Sequence, residues 1–140
     1  MSIQASTPAA PVATLVPDYR RLTVLPRHFG SHMILVENCI YDSMSELCNA
    51  YHGGFWAFYE TSNGALFMVP TAADEYELLC AGNYFQGTMS AEAAGIVASL
   101  YGINRACWAY REDRLITQYH ELAHFAKFHP ESAAIFAAID

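Results

Sequence analysis

A single lysine, Lys127, and six arginines stand against fourteen carboxylates in these 140 residues, for a net charge of −7. So few cations leave no basic stripe able to neutralise a row of phosphates, and direct DNA or RNA binding is not expected. Nor is there an acidic run long enough to imitate DNA: Asp74, Glu75 and Glu77 form the one cluster, and the other carboxylates are scattered. Cys39, Cys48, Cys80 and Cys107 are widely spaced with no Cys-x-x-Cys pair, which argues against a disulfide framework or a thiolate metal site. The opening stretch has no basic start, and Pro8 and Pro11 break its apolar residues, so no signal peptide or membrane anchor is expected and a cytoplasmic location is. Gly-x-Ser-x-Gly, phosphate-loop and dinucleotide fingerprints are all missing, and no cofactor is expected.

What is present is apolar: 54% of residues are hydrophobic, 14% aromatic and only 15% charged. That composition excludes a disordered chain, and the length suits one domain with a real core. Residues 1–14, rich in Ala, Pro, Ser and Thr, read as a flexible tail, and 15–140 as a single domain. Between Met33 and Tyr51, apolar residues at Ile40, Met44, Leu47, Cys48 and Tyr51 predict a helix in the second half of the segment, ended by Gly53-Gly54. Phe55–Thr61 and Ala65–Val69 are strand-like and meet at Asn63-Gly64, the dipeptide of a type I′ hairpin turn. A two-residue turn would pair Tyr59 with Met68 and Phe58 with Val69, leaving apolar side chains on both faces of the hairpin, so both must be covered. Glu77–Ala81 reads as a third antiparallel strand beside it. Ser90 is a good N-cap for a helix to about Tyr110, and its small residues Ala91, Ala94, Gly95, Ala98 and Gly102 permit close backbone approach. A further helix spans roughly Glu112 to Phe128, and Pro130 starts a last short one ending at Ile139. The expected fold is therefore α+β, a small antiparallel sheet packed between several helices.

The most conspicuous motif is His120-Glu121-Leu122-Ala123-His124. In zinc proteases two histidines one turn apart hold the metal and the intervening glutamate activates water. On a helical wheel at ~100° per residue, however, Leu115, Tyr119, Leu122 and Ala126 form the buried stripe, and His120 and His124 fall ~110–150° from its centre. His129 and Glu131, the candidate third ligands, lie close to Pro130 in no known zinc arrangement. A zinc-dependent hydrolase built on His120, His124 and Glu121 is thus the alternative reading.

Several segments, in order and spacing, resemble the KlcA/ArdB family of antirestriction proteins. They are Leu25-Pro26-Arg27-His28-Phe29-Gly30, Gly53-Gly54-Phe55-Trp56 with Phe58-Tyr59, Ser62-Asn63-Gly64 with Pro70, Met89-Ser90-Ala91-Glu92-Ala93-Ala94-Gly95-Ile96, and His129-Pro130-Glu131 with Ile139-Asp140. The resemblance implies a plasmid- or mobile-element-borne protein that relieves type I restriction of incoming DNA. It implies an inhibitor and not an enzyme, contacting the restriction enzyme or a host factor that controls it. It also implies that the His-Glu-x-x-His segment is incidental, and it ranks an acidic DNA mimic third. A monomer is expected. The interaction candidates are Arg27 and His28, polar residues expected in a loop between Pro26 and Gly30, and Asp140, whose carboxylates at a helix C-terminus call for a compensating cation.

Overall fold

The computed structural model describes residues 9–140. Three strands, β1 (Ala13–Leu15), β2 (Trp56–Thr61) and β3 (Leu66–Pro70), form an antiparallel sheet in the order β1-β2-β3. A second, two-stranded sheet pairs β4 (Glu75–Cys80) with β5 (Phe85–Ser90). Five α-helices complete the described residues: α1 (Arg21–Phe29), α2 (Met33–Leu47), α3 (Ala91–Tyr110), α4 (Asp113–Lys127) and α5 (Ser132–Ile139). The class is α+β, as composition and pattern predict.

Most of the expected tail, residues 1–8, lies outside the described residues. Its last two residues do not belong to a tail, because Ala13 and Thr14 sit in β1 opposite Thr61 and Glu60. The pairing uses main-chain groups that composition does not report: Val16 N–H donates to Phe58 O at 2.8 Å and Ser62 N–H to Val12 O at 2.8 Å.

The hairpin lies at Asn63-Gly64, but its loop has three residues, not two. Thr61 N–H donates to Ala65 O at 2.8 Å, and within the loop positive φ falls on Gly64 alone, at 102°. A type I′ turn needs positive φ at two successive residues, and Asn63 does not supply it. The register slips by one, pairing Tyr59 with Phe67 and Phe58 with Met68. The cause is tertiary and local at once. Thr61 Oγ1 accepts from Ala65 N–H at 2.9 Å, while α4 grips the loop through Gln118 Nε2 to Gly64 O (2.9 Å) and Asn63 Nδ2 to Glu121 O (2.8 Å).

The expected third strand at Glu77–Ala81 exists, but it pairs with β5 and not with the hairpin. Both edges of the hairpin are already taken, by β1 on β2 and by α3 on β3. Met68 N–H, facing away from β2, donates to the buried Ser99 Oγ at 3.0 Å. Gly95 passes so close to the Met68 carbonyl that a Cβ there could not fit. Gly102 does the same against Ile40 of α2, so the small residues of α3 are the close-approach device the sequence suggested.

Ser90 caps α3, its hydroxyl accepting from Ala93 N–H at 3.1 Å. The core runs along this helix, with Ile40, Leu66, Phe67, Met68, Ile96, Leu100, Ile103, Leu115 and Leu122 fully buried. Each such side chain contributes roughly 1.5–3 kcal/mol by leaving water. Helix α2 is longer than predicted, starting at Met33, and it stops at Leu47, before Gly53-Gly54. Helix α5 begins at Ser132, two residues beyond Pro130, and buries Ile135 and Ala138 within the chain. No helix among the described residues is long and apolar enough to cross a membrane.

Candidate interaction surface

Arg27 and His28 stand on the last turn of α1, not in a loop, because the helix runs through Pro26 and ends at Gly30 with φ 59°. His28 is buried, and its Nε2 meets Glu60 Oε2 at 2.6 Å. Arg20 pairs with the other carboxylate oxygen, and Arg27 Nη1 stands 3.9 Å from Oε2 with its side chain 66% exposed. Glu60 on β2 is therefore the hub that ties α1 to the sheet. Burial opposes its ionisation, but hydrogen bonds from His28 and Arg20, and their charge, overcome this and hold the carboxyl below its usual range. Glu60 and Arg20 were not among the residues the sequence singled out; the available signal was a carboxylate inside an otherwise apolar strand.

A second polar junction joins the C-terminal region to the start of α3. Glu131 accepts from Ser90 N–H at 2.9 Å through Oε1 and from the Ser90 hydroxyl through Oε2. His129 Nδ1 accepts from Glu131 N–H at 3.0 Å, and its Nε2 lies 3.3 Å from Glu92 Oε1. Burial raises the Glu131 carboxyl, yet the two Ser90 hydrogen bonds and nearby His129 pull it below the ordinary value. One serine thus caps α3 with its oxygen while donating its proton to a glutamate 41 residues away.

The His-Glu-x-x-His side chains do not converge. His120 and His124 are exposed on α4, their rings set against Tyr119 and Phe128 with centroids 5.7 and 5.3 Å apart. Glu121 turns toward the hairpin loop, its Oε2 2.9 Å from where a Cβ on Gly64 would be. Among the described residues no group of three His, Cys, Asp or Glu is placed to hold a metal. The pattern is that of a helix flank packed on a turn.

The family model for antirestriction proteins matches residues 49–140. Antirestriction protein KlcA of Escherichia coli is 44% identical over 95% of this chain and 96% of its own length. The chain belongs to the antirestriction protein family. A putative antirestriction protein, YubI of Escherichia coli strain K12, is 36% identical over 94% of this chain and 98% of that protein. A solved structure superposes with a TM-score of 0.87 at 39% identity, covering all of both chains. It is described as showing the novel fold of the KlcA and ArdB proteins and their antirestriction activity against type I DNA restriction systems in vivo but not in vitro.

The segments that carry the family resemblance meet in pairs in the fold. Arg27-His28 reaches the strand that begins at Trp56, through Glu60. His129-Pro130-Glu131 closes on Ser90 and Glu92. Ser62-Asn63-Gly64 forms the loop held by α4. Asp140 remains apart: it is exposed, its N–H donates to Phe136 O at 3.0 Å, and it makes no ion pair among the described residues. The compensating cation expected beside it is not supplied by the described residues. Its charge is instead felt by Tyr119, whose hydroxyl is raised first by burial and then by Asp140 and Cys107.

Proposed function

We propose that this antirestriction-family chain relieves type I restriction of incoming DNA inside the cell by binding a protein, without catalysing a reaction. The observation that carries the reading is the full-length match to a structure described as active against type I systems in vivo but not in vitro. Activity that needs the cell favours contact with a host factor controlling the restriction enzyme over direct blockade of a purified nuclease. The exposed head of Arg27 and the unpaired side-chain carboxylate of Asp140 are the contact groups, since His28 is occupied by Glu60. Glu60 and Glu131 are committed to internal hydrogen bonds, which leaves fewer carboxylates for a DNA-like row and weighs against mimicry. The site of action is the cytoplasm, and no cofactor is involved.

The test compares restriction in cells with cleavage of unmodified plasmid by a purified type I enzyme at saturating amounts of this chain. Relief in cells with unimpaired cleavage in the purified reaction supports a host-factor route. Inhibition of the purified enzyme to the same degree would replace that route with direct binding. No relief in either setting would remove the function.

A further inference from the structure

From Arg20 to Val36 the chain carries three arginines and two histidines and not one carboxylate; Glu60 pairs with Arg20 and His28 and lies 3.9 Å from Arg27, and Glu112 faces His32, which leaves Arg21 as the cation of this stretch with no carboxylate partner among the described residues. The same stretch forms α1 and the start of α2, and it exposes Leu22 at 93% and Ile34 at 63%, with Tyr19 at 85% just before it and Phe55 at 60% against Arg21. Between the two helices lies a groove of about 280 Å³ lined by Leu22, Leu25, Met33, Ile34 and Phe58. Arg21 also borders it, its guanidinium 4.1 Å from the centroid of Phe58 and 4.4 Å from that of Phe55, and fixed by a 2.9 Å hydrogen bond to Trp56 O. Glu37 is the one carboxylate on the lining, and it accepts from the Tyr41 hydroxyl at 3.2 Å.

These features point to one kind of occupant. The volume falls just below the roughly 300–1,000 Å³ of small-molecule pockets, so it suits side chains presented by a protein. Exposed apolar groups rimmed by polar ones are the mark of a protein contact, and phosphates would gain nothing from Tyr19, Leu22, Ile34 and Phe55. Two helices flanking an apolar groove match the helix-in-groove mode of recognition. Arg21 at its border, which has no carboxylate partner among the described residues, favours a flanking carboxylate on the incoming helix. We infer that the α1–α2 groove docks an amphipathic helix of a partner protein whose apolar face is flanked by Asp or Glu. This deepens the binding-protein reading above and rests on it.

The test titrates the isotope-labelled full chain with a synthetic amphipathic helical peptide, Leu and Phe on one face and Glu on its flanks, and follows backbone amide resonances. A matched peptide with Lys in place of Glu is the charge control. The inference expects shifts at Leu22, Leu25, Met33 and Ile34 with the acidic peptide, and binding about tenfold weaker for the Lys peptide or for Arg21→Glu. Leu22→Glu and Ile34→Glu alter exposed side chains, so their melting temperatures should match the parent while binding is lost. Equal binding of both peptides, shifts elsewhere, or no shifts would overturn it. Concentration-dependent shifts at the same residues without peptide would assign the groove to a second copy of the chain and also overturn it. Restriction relief by Leu22→Glu in cells, expected to be lost, is scored separately. If the parent chain itself gives no relief, the proposed function fails while the peptide titration still judges the groove.

Discussion

Replacing Gly95 by alanine adds one carbon at the tightest crossing in the fold. The new Cβ would collide with the Met68 carbonyl oxygen and stand 2.9 Å from Val69 Cα and 3.1 Å from Met68 C, all main-chain atoms that cannot rotate away. Restoring ordinary carbon contacts requires α3 to retreat by roughly 1 Å. Overpacking of this kind costs about 1–3 kcal/mol. The retreat also stretches the 3.0 Å bond from Met68 N–H to Ser99 Oγ. A buried N–H left without a partner adds about 1–3 kcal/mol. Alanine's better helix propensity offsets about 1 kcal/mol. The net expectation is a loss of about 3 kcal/mol, or about 6–12 °C in melting temperature for a chain of this size. Urea or thermal unfolding followed by circular dichroism measures it, with Gly82→Ala, whose Cβ meets nothing within 4 Å, as the neutral control. A Gly95→Ala protein as stable as the parent would refute the claim that α3 seals the edge of β3 by main-chain contact.

Ser99→Ala at the same contact should destabilise by about 1–3 kcal/mol in the same unfolding assay, since the edge N–H of Met68 is left dry and unpaired. Stability should also fall in acid. Glu60 and Glu131 have carboxyls held below their unfolded values, so their contribution is present above the unfolded carboxyl pKa and is lost as pH drops through the folded one. Urea midpoints taken between neutral and strongly acidic pH should show that decline flattened in the Glu60→Gln, Glu131→Gln double variant. A decline as steep as the parent's would mean that other groups carry it. For activity, Asp140→Ala should reduce restriction relief in cells more than His120→Ala, which alters an exposed ring on the outer flank of α4. The reverse order, or one tightly bound zinc per chain that disappears in His120→Ala, would revive the hydrolase reading.

Elements whose determinants are close in sequence were legible. The Ser90 cap and the small-residue face of α3 follow from local chemistry, and so does the outward direction of His120 and His124. The hairpin could be placed but its register could not, because Thr61 and two groups of α4, the Gln118 side chain and the Glu121 carbonyl, fix a longer loop than Asn63-Gly64 prefers. Strand β1 has no signature in the sequence, since three residues paired by main-chain bonds leave no periodic trace. Helix α1 was hidden by Pro26, which argues against a helix; the segment is held instead by Arg20 and His28 on Glu60 and by Arg21 on Trp56 O. The same distance effect governs the candidate site. Arg27 and His28 stood out for their residue types, but Glu60, 32 residues from His28, could be joined to them only by the fold.

Relief of type I restriction in the cell is the activity on which everything above depends. Its most direct test is the plating efficiency of unmodified phage on a type I-restricting host with and without expression of this chain, with modified phage as the reference. Expression is expected to raise plating of unmodified phage toward the modified level. A host that restricts as fully with the protein as without it, at matched expression of folded chain, would show that the protein does not relieve restriction.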